Sequence, residues 1–209
     1  MIDITIASIC NIDEIIYDRY LSLMPIDTKS DISRYRQRDD RYRTLLGKVL
    51  LRNYLNQYTN FKLSDIDKTL YNRPYIKNSD IDFNISHSGK YVICAFTKYD
   101  SIGIDIEELN PNINIDEFNS VFTNNELNFI KSTDDEVETF YRFWTIKEAI
   151  LKANGRGFIA DPKDIIIDYP NNTATFEKRV YYTFSSVLDD YIYSLASTEL
   201  KSINIKNRT

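Results

Sequence analysis

The chain has 209 residues, 43% of them hydrophobic, and a formal net charge of −5; that size suits one compact body or two small lobes sharing a core. Net acidity argues against a general nucleic-acid binder, whose phosphate affinity comes from clustered lysine and arginine. No apolar run approaches the roughly 20 residues that span a bilayer, and no basic-then-apolar leader opens the sequence. A cytoplasmic protein without a nucleic-acid or membrane partner is therefore expected.

In chain order, Ile2 to Ala7 alternates like a strand, and a helical stretch from about Ile12 to Leu23 is closed by Pro25. A long helix fits Asp39 to Tyr58, with Tyr42, Leu45, Leu46, Val49, Leu50 and Tyr54 as its core stripe. Eight basic residues between Lys29 and Arg52 could hold a small polyanion, although a solvated helix face explains them equally well. Tyr71-Asn72-Arg73-Pro74 reads as a turn, and Ile81 to Ser86 alternates toward His87-Ser88-Gly89, where glycine permits a sharp bend. Tyr91 to Phe96 and Ile102 to Glu107, joined by Lys98-Tyr99-Asp100-Ser101, predict a hairpin.

Helical periodicity then covers Ile115 to Phe122, Asn124 to Ser132 and, most strongly, Glu136 to Ala153, with Gly155 and Gly157 as its stop. Ile165 to Asp168, Ala174 to Glu177, Val180 to Ser185 and Tyr191 to Ala196 read as short antiparallel strands. Gly89 to Phe96 is echoed faintly by Asp189 to Ala196, which is compatible with two related halves. Any two buried strands would look alike, however, so the echo alone does not establish a repeat. Cys10 and Cys94 lie in apolar contexts without zinc or disulfide spacing and are expected to be buried, reduced thiols.

Chemistry concentrates in three acids. Asp105 and Glu107 are two residues apart in a strand, so both side chains leave by one face and each raises the other's pKa unless something positive lies between them. Oxygen ligands of this kind suit magnesium, which completes its shell with substrate phosphates; two harmless surface acids at a strand end are the plainer alternative. Trp144, Glu148 and Lys152 follow one another at i, i+4 and i+8 on a helix, a mixed stripe unlike a pure core face. A simple Glu148 to Lys152 ion pair would also explain the last two. His87 is the only histidine, which leaves no recognisable Ser-His-Asp arrangement, but Ser86-His87-Ser88-Gly89 gathers hydroxyls, an imidazole and backbone N–H groups suited to phosphate.

Phe83-Asn84-Ile85-Ser86-His87-Ser88-Gly89, Gly103-Ile104-Asp105-Ile106-Glu107 and Phe143-Trp144-Thr145-Ile146-Lys147-Glu148-Ala149-Ile150-Leu151-Lys152 strongly resemble, in order and separation, the Sfp-type 4′-phosphopantetheinyl transferases. Arg43-Thr44-Leu45-Leu46-Gly47 and Asn72-Arg73-Pro74 resemble the same family. The resemblance implies an α+β fold of two similar halves related by a pseudo-twofold axis, residues 1–101 contacting the 3′-phosphate and adenine of coenzyme A and residues 102–209 carrying the magnesium ligands and catalytic helix. It implies transfer of the 4′-phosphopantetheine arm of coenzyme A to a serine of an apo acyl or peptidyl carrier protein, with Mg2+ as cofactor, by a monomer. By motif match, Asp105, Glu107 and Glu148 would hold magnesium, Glu148 would deprotonate the serine, and Lys152 would meet the pyrophosphate. His87 and Arg43 would meet the 3′-phosphate, Arg73 and Pro74 would border the adenine, and Ser86 and Ser88 would lie nearby. Glu126 resembles the acid that follows the family's second-half helix. One departure stands out: where some relatives place lysines for the 3′-phosphate, this chain has Thr28 and Asp31, so Lys29 or Arg34 would have to substitute. A non-catalytic coenzyme A or carrier-binding module and a magnesium-dependent phosphohydrolase are the competing classes.

Overall fold

The computed structural model describes residues 1–156 and 159–208; of the two glycines expected to stop the long second helix, Gly157 lies outside them. Strand β1 (Ile2–Ser8) is followed by α1 (Glu14–Ser22), α2 (Ile26–Ser33) and α3 (Arg38–Tyr58). Then come the short β2 (Ile66–Lys68) and β3 (Pro74–Ile76), and the longer β4 (Ile81–Ser88) and β5 (Tyr91–Lys98). The second run is β6 (Ile102–Glu108), α4 (Asn124–Lys131), α5 (Glu136–Asn154), β7 (Ile166–Asp168), β8 (Thr173–Phe176), β9 (Arg179–Leu188) and β10 (Tyr191–Ser197), closed by β11 (Ile203–Arg208).

Two sheets result, ordered β11-β1-β5-β4 and β6-β10-β9-β8-β7, with β2 and β3 paired separately. In each, the opening strand of the run pairs antiparallel with its closing strand, β1 with β5 and β6 with β10, and the closing strand pairs with the one before it. The faint echo therefore has a structural counterpart, since Tyr91 and Tyr191 open equivalent central strands. The turns before them pass through Gly89 at φ 47° and Asp189 at φ 50°. The two tyrosine rings meet edge to face at 5.0 Å.

Period-two alternation decides which face of each strand sees what. Ile2, Ile4, Ile6, Ile93 and Ala95 from the first sheet join Ile102, Ile104, Ile106, Tyr193 and Leu195 from the second in one apolar cluster between the sheets. Val92, Cys94 and Phe96 point the other way, onto Tyr42, Leu46 and Leu50 of α3. By the same alternation, Gly103, Asp105 and Glu107 of β6 turn toward α5.

Helix α5 begins where Asp135 accepts the Glu138 N–H at 2.8 Å and stops where Gly155 adopts φ 83°, an N-cap and left-handed stop of the usual kind. Its register is pinned by Lys147, only 1% exposed. The ammonium donates to the carbonyls of Pro162 at 2.8 Å and Ile165 at 3.2 Å and pairs with Glu126 at 2.9 Å. The other oxygen of Glu126 accepts the Thr123 N–H at 2.8 Å, capping α4. The acid that the family resemblance singles out is thus a strut between two helices.

Several expectations need correction. Strands β5 and β6 do not form a hairpin: they belong to different sheets, and β6 takes its partner from β10. The helix expected from Ile115 to Phe122 is a single 3₁₀ turn over Ile115–Phe118. Helix α1 does stop just before Pro25, with Leu23 as its C-cap, but the proline is also the N-cap of a further helix, α2, that was not expected. Cys94 is buried, as expected, but Cys10 is exposed.

Candidate active site

Asp105, Glu107, Trp144, Glu148 and Lys152 line one cavity of about 350 Å3 together with Ile85, Ser86 and His87. Strand β6 supplies the first two acids, α5 the next three side chains, and β4 the rest. A larger cavity of about 650 Å3, walled by Phe129, Phe143 and Tyr169, contains none of them; chemistry, not size, marks the smaller one.

The approach of α5 to β6 depends on Gly103. A Cβ there would lie 1.9 Å from the Ala149 carbonyl oxygen and 2.5 Å from the Ala153 nitrogen, so helix and strand touch backbone to backbone. That contact brings Glu148 and Lys152 to the level of Asp105.

Asp105 is 3% exposed. Its Oδ1 accepts from Lys152 Nζ at 2.6 Å and from Ser86 Oγ at 2.9 Å, whereas Oδ2 is buried with no partner among the described residues. Lys152 also donates to the Ile104 carbonyl at 3.2 Å and to Ser86 Oγ at 2.9 Å. Its ion pair is therefore with Asp105, and among the described residues no Glu148–Lys152 ion pair forms; the intrahelical explanation of that spacing falls. Ser88 Oγ donates to Glu107 at 3.0 Å.

Burial, and then the charge of Asp105, pushes Glu107 up to about 7. The same two causes raise Glu148. Three acids that repel one another form a hard, all-oxygen donor set, the chemistry that suits a divalent ion. As the chain stands, no three His, Cys, Asp or Glu side chains among the described residues lie close enough together to hold a metal ion, so the three acids would have to draw in around one.

His87 sits at the mouth of the cavity with much of its surface open. Desolvation by the surrounding protein, and then the Arg43 guanidinium, nevertheless hold its pKa below the ordinary value. Arg43 itself donates to the Gly89 carbonyl at 2.7 Å and pairs with Asp40 at 2.6 Å. Arg73 and Pro74 do not reach this cavity. The Arg73 guanidinium is spent on Asp82 at 2.6 Å and on the carbonyls of Lys152 at 2.9 Å and Ile102 at 3.0 Å, and Pro74 opens β3, opposite Lys68. Gly103 and Asn84, quoted in the motifs without a role, prove to shape the site; only their identity among larger or apolar neighbours could have signalled it.

Because His87 is the only histidine, its titration can be followed alone. A lowered folded pKa means that the folded chain binds fewer protons. The group's stabilising contribution is then present above about 6.5, the unfolded value, and is lost as pH falls through the folded value. The proton NMR titration of His87 is expected to lie below that of a free histidine and to move up when a phosphate-bearing ligand enters the cavity. An unchanged titration at saturating coenzyme A would remove His87 from the ligand's path.

The model of the 4′-phosphopantetheinyl transferase superfamily matches residues 101–196, and that of the N-terminal region of 4′-phosphopantetheinyl transferases matches residues 14–98. The chain is 35% identical over 145 residues to the 4′-phosphopantetheinyl transferase Sfp of Bacillus subtilis, covering 67% of this chain and 64% of that protein. It is 34% identical over 180 residues to the 4′-phosphopantetheinyl transferase gsp of Aneurinibacillus migulanus, covering 84% and 74%. Matched by both family models and by a relative 34% identical over most of its length, this chain belongs to the Sfp-type 4′-phosphopantetheinyl transferase family.

Proposed function

We propose that the chain transfers the 4′-phosphopantetheine arm of coenzyme A to a serine hydroxyl of an apo acyl or peptidyl carrier protein, releasing adenosine 3′,5′-bisphosphate. The observation that carries this reading is the meeting of Asp105, Glu107, Glu148 and Lys152 in one cavity. Asp105, Glu107 and Glu148 would hold Mg2+, which, when bound, supplies positive charge to the pyrophosphate. Lys152, already fixed between Asp105, Ser86 and the Ile104 carbonyl, donates to a phosphate oxygen as the leaving group departs. Glu148, a stronger base than a free carboxylate because burial and Asp105 raise its pKa, takes the serine proton. Ser86 and Ser88 orient the carboxylates, Arg43 presents positive charge to the nucleotide, and His87 presents a ring N–H donor. Trp144 closes one wall against water.

No helix of the described residues is long and apolar enough to cross a membrane. A working monomer in the cytoplasm completes the proposal.

The test is incubation of a panel of apo carrier proteins with coenzyme A and magnesium, read by intact-protein mass spectrometry. A carrier that gains one phosphopantetheine, and fails to gain it when its serine is replaced by alanine, is the expected result. Release of bisphosphate with no acceptor present would indicate a hydrolase and sink the reading.

A further inference from the structure

Strands β4 and β6 run along each other without pairing, and the way they are joined is unusual. Every described backbone contact between them is made by a side chain of β4. Asp82 Oδ2 accepts the Ile102 N–H at 2.9 Å, Asn84 Oδ1 accepts the Ile104 N–H at 3.0 Å, and Ser88 Oγ accepts the Glu108 N–H at 3.2 Å. Even-numbered residues of one strand thus serve even-numbered residues of the other, in the register that a ladder would have.

The physical consequence is spacing. Strands joined backbone to backbone stand about 4.8 Å apart, which leaves no gap for a lysine head group. Carboxamide and carboxylate acceptors push β4 outward by the length of a side chain. In the opening that remains, Ser86 donates to Asp105 and Lys152 reaches the Ile104 carbonyl. Asn84 is 6% exposed, so its bond to Ile104 is made away from water. The Ile104 residue is consequently held by its N–H from Asn84 and by its carbonyl from Lys152, and the residue after it is Asp105.

We infer that Asn84 is a positioning residue for the transfer reaction: its carboxamide replaces a missing strand carbonyl, sets the gap between the two sheets and fixes Asp105 opposite Lys152. The inference rests on the proposed transfer, and Asn84 itself touches no reacting group. Alanine removes the acceptor but not the strand; serine keeps a shorter one and serves if the alanine chain folds poorly.

The experiment reads two things in Asn84→Ala and Asn84→Ser: hydrogen exchange of the Ile104 amide by NMR, and kcat separately from KM for coenzyme A. In Asn84→Ala the Ile104 amide is expected to lose protection about tenfold or more while the β10 amides keep theirs. A displacement of the order of 1 Å costs about a hundredfold, so kcat should fall on that scale with KM within about twofold, and Asn84→Ser should lie between. Lost protection with an unaltered kcat would overturn the positioning role, as would unaltered protection. If the unsubstituted chain transfers nothing, the functional reading fails together with the kinetic half of this inference. The exchange of Ile104 then still decides whether Asn84 holds the strand.

Discussion

Alanine in place of Gly103 should be the most damaging single-methyl change in this chain. The new Cβ would lie 1.9 Å from the Ala149 carbonyl oxygen and 2.9 Å from its carbon, and neither atom belongs to a side chain that could swing away. Helix α5 would have to lift off β6. Overpacking a buried contact costs about 1–3 kcal/mol and sometimes more; with backbone on both sides, the upper end, about 3 kcal/mol, is expected. For a chain of this length that corresponds to a fall of roughly 6–12 °C in Tm. Transfer should be lost even well below the new Tm, because lifting α5 carries Glu148 and Lys152 away from Asp105. Thermal denaturation and the carrier mass assay check both parts. Wild-type stability with wild-type transfer would show that the helix does not rest on the strand there.

The second large effect belongs to the acids and the lysine. Glu148→Gln keeps the shape of a half-buried side chain and relieves its repulsion with Asp105, so the fold should be unharmed or slightly firmer while the base is gone. General-base loss alone costs about 10²–10⁴-fold in rate. Asp105→Ala removes the one carboxylate that both Lys152 and Ser86 address, and its transfer should fall below detection. Lys152→Ala leaves Asp105, 3% exposed, with only Ser86 as a donor. An uncompensated buried charge costs several kcal/mol, which makes this the least stable of the three variants as well as an inactive one. The ordering separates roles: Glu148→Gln stable and slow, Lys152→Ala unstable and slow. Undiminished turnover of Asp105→Ala or Glu148→Gln at saturating magnesium would refute the assignment of those carboxylates.

How much of this could be read before folding follows from which signals are local. Alternation in Ile102 to Glu107 is local, and it put Asp105 and Glu107 on one side of a strand. Helical spacing is local too, and it put Trp144, Glu148 and Lys152 on one stripe of α5. Partner choice is not local. Lys98 to Ser101 looks like a hairpin turn, yet Ile102 goes on to pair with Ser197, because two runs of similar order each close on their own last strand. The parallel pairing of β11 with β1 joins the extreme ends of the chain and left no trace in either segment alone. Arg73 also ties Asp82 to the carbonyls of Lys152 and Ile102, a role that depends on three segments meeting.

Period and composition by themselves determined most of the longer strands, though not β2, β3 or β11, together with the two long helices and the identity of the acids, since the pleat and the helical turn are properties of a few consecutive residues. Packing alone decided that the acids share a cavity, that Lys152 answers Asp105 rather than Glu148, and that a glycine and an asparagine set the distances. Those outcomes rest on backbones brought together from segments about 20 to 50 residues apart, and the free energy of such contacts is not written in any window of sequence short enough to carry a period.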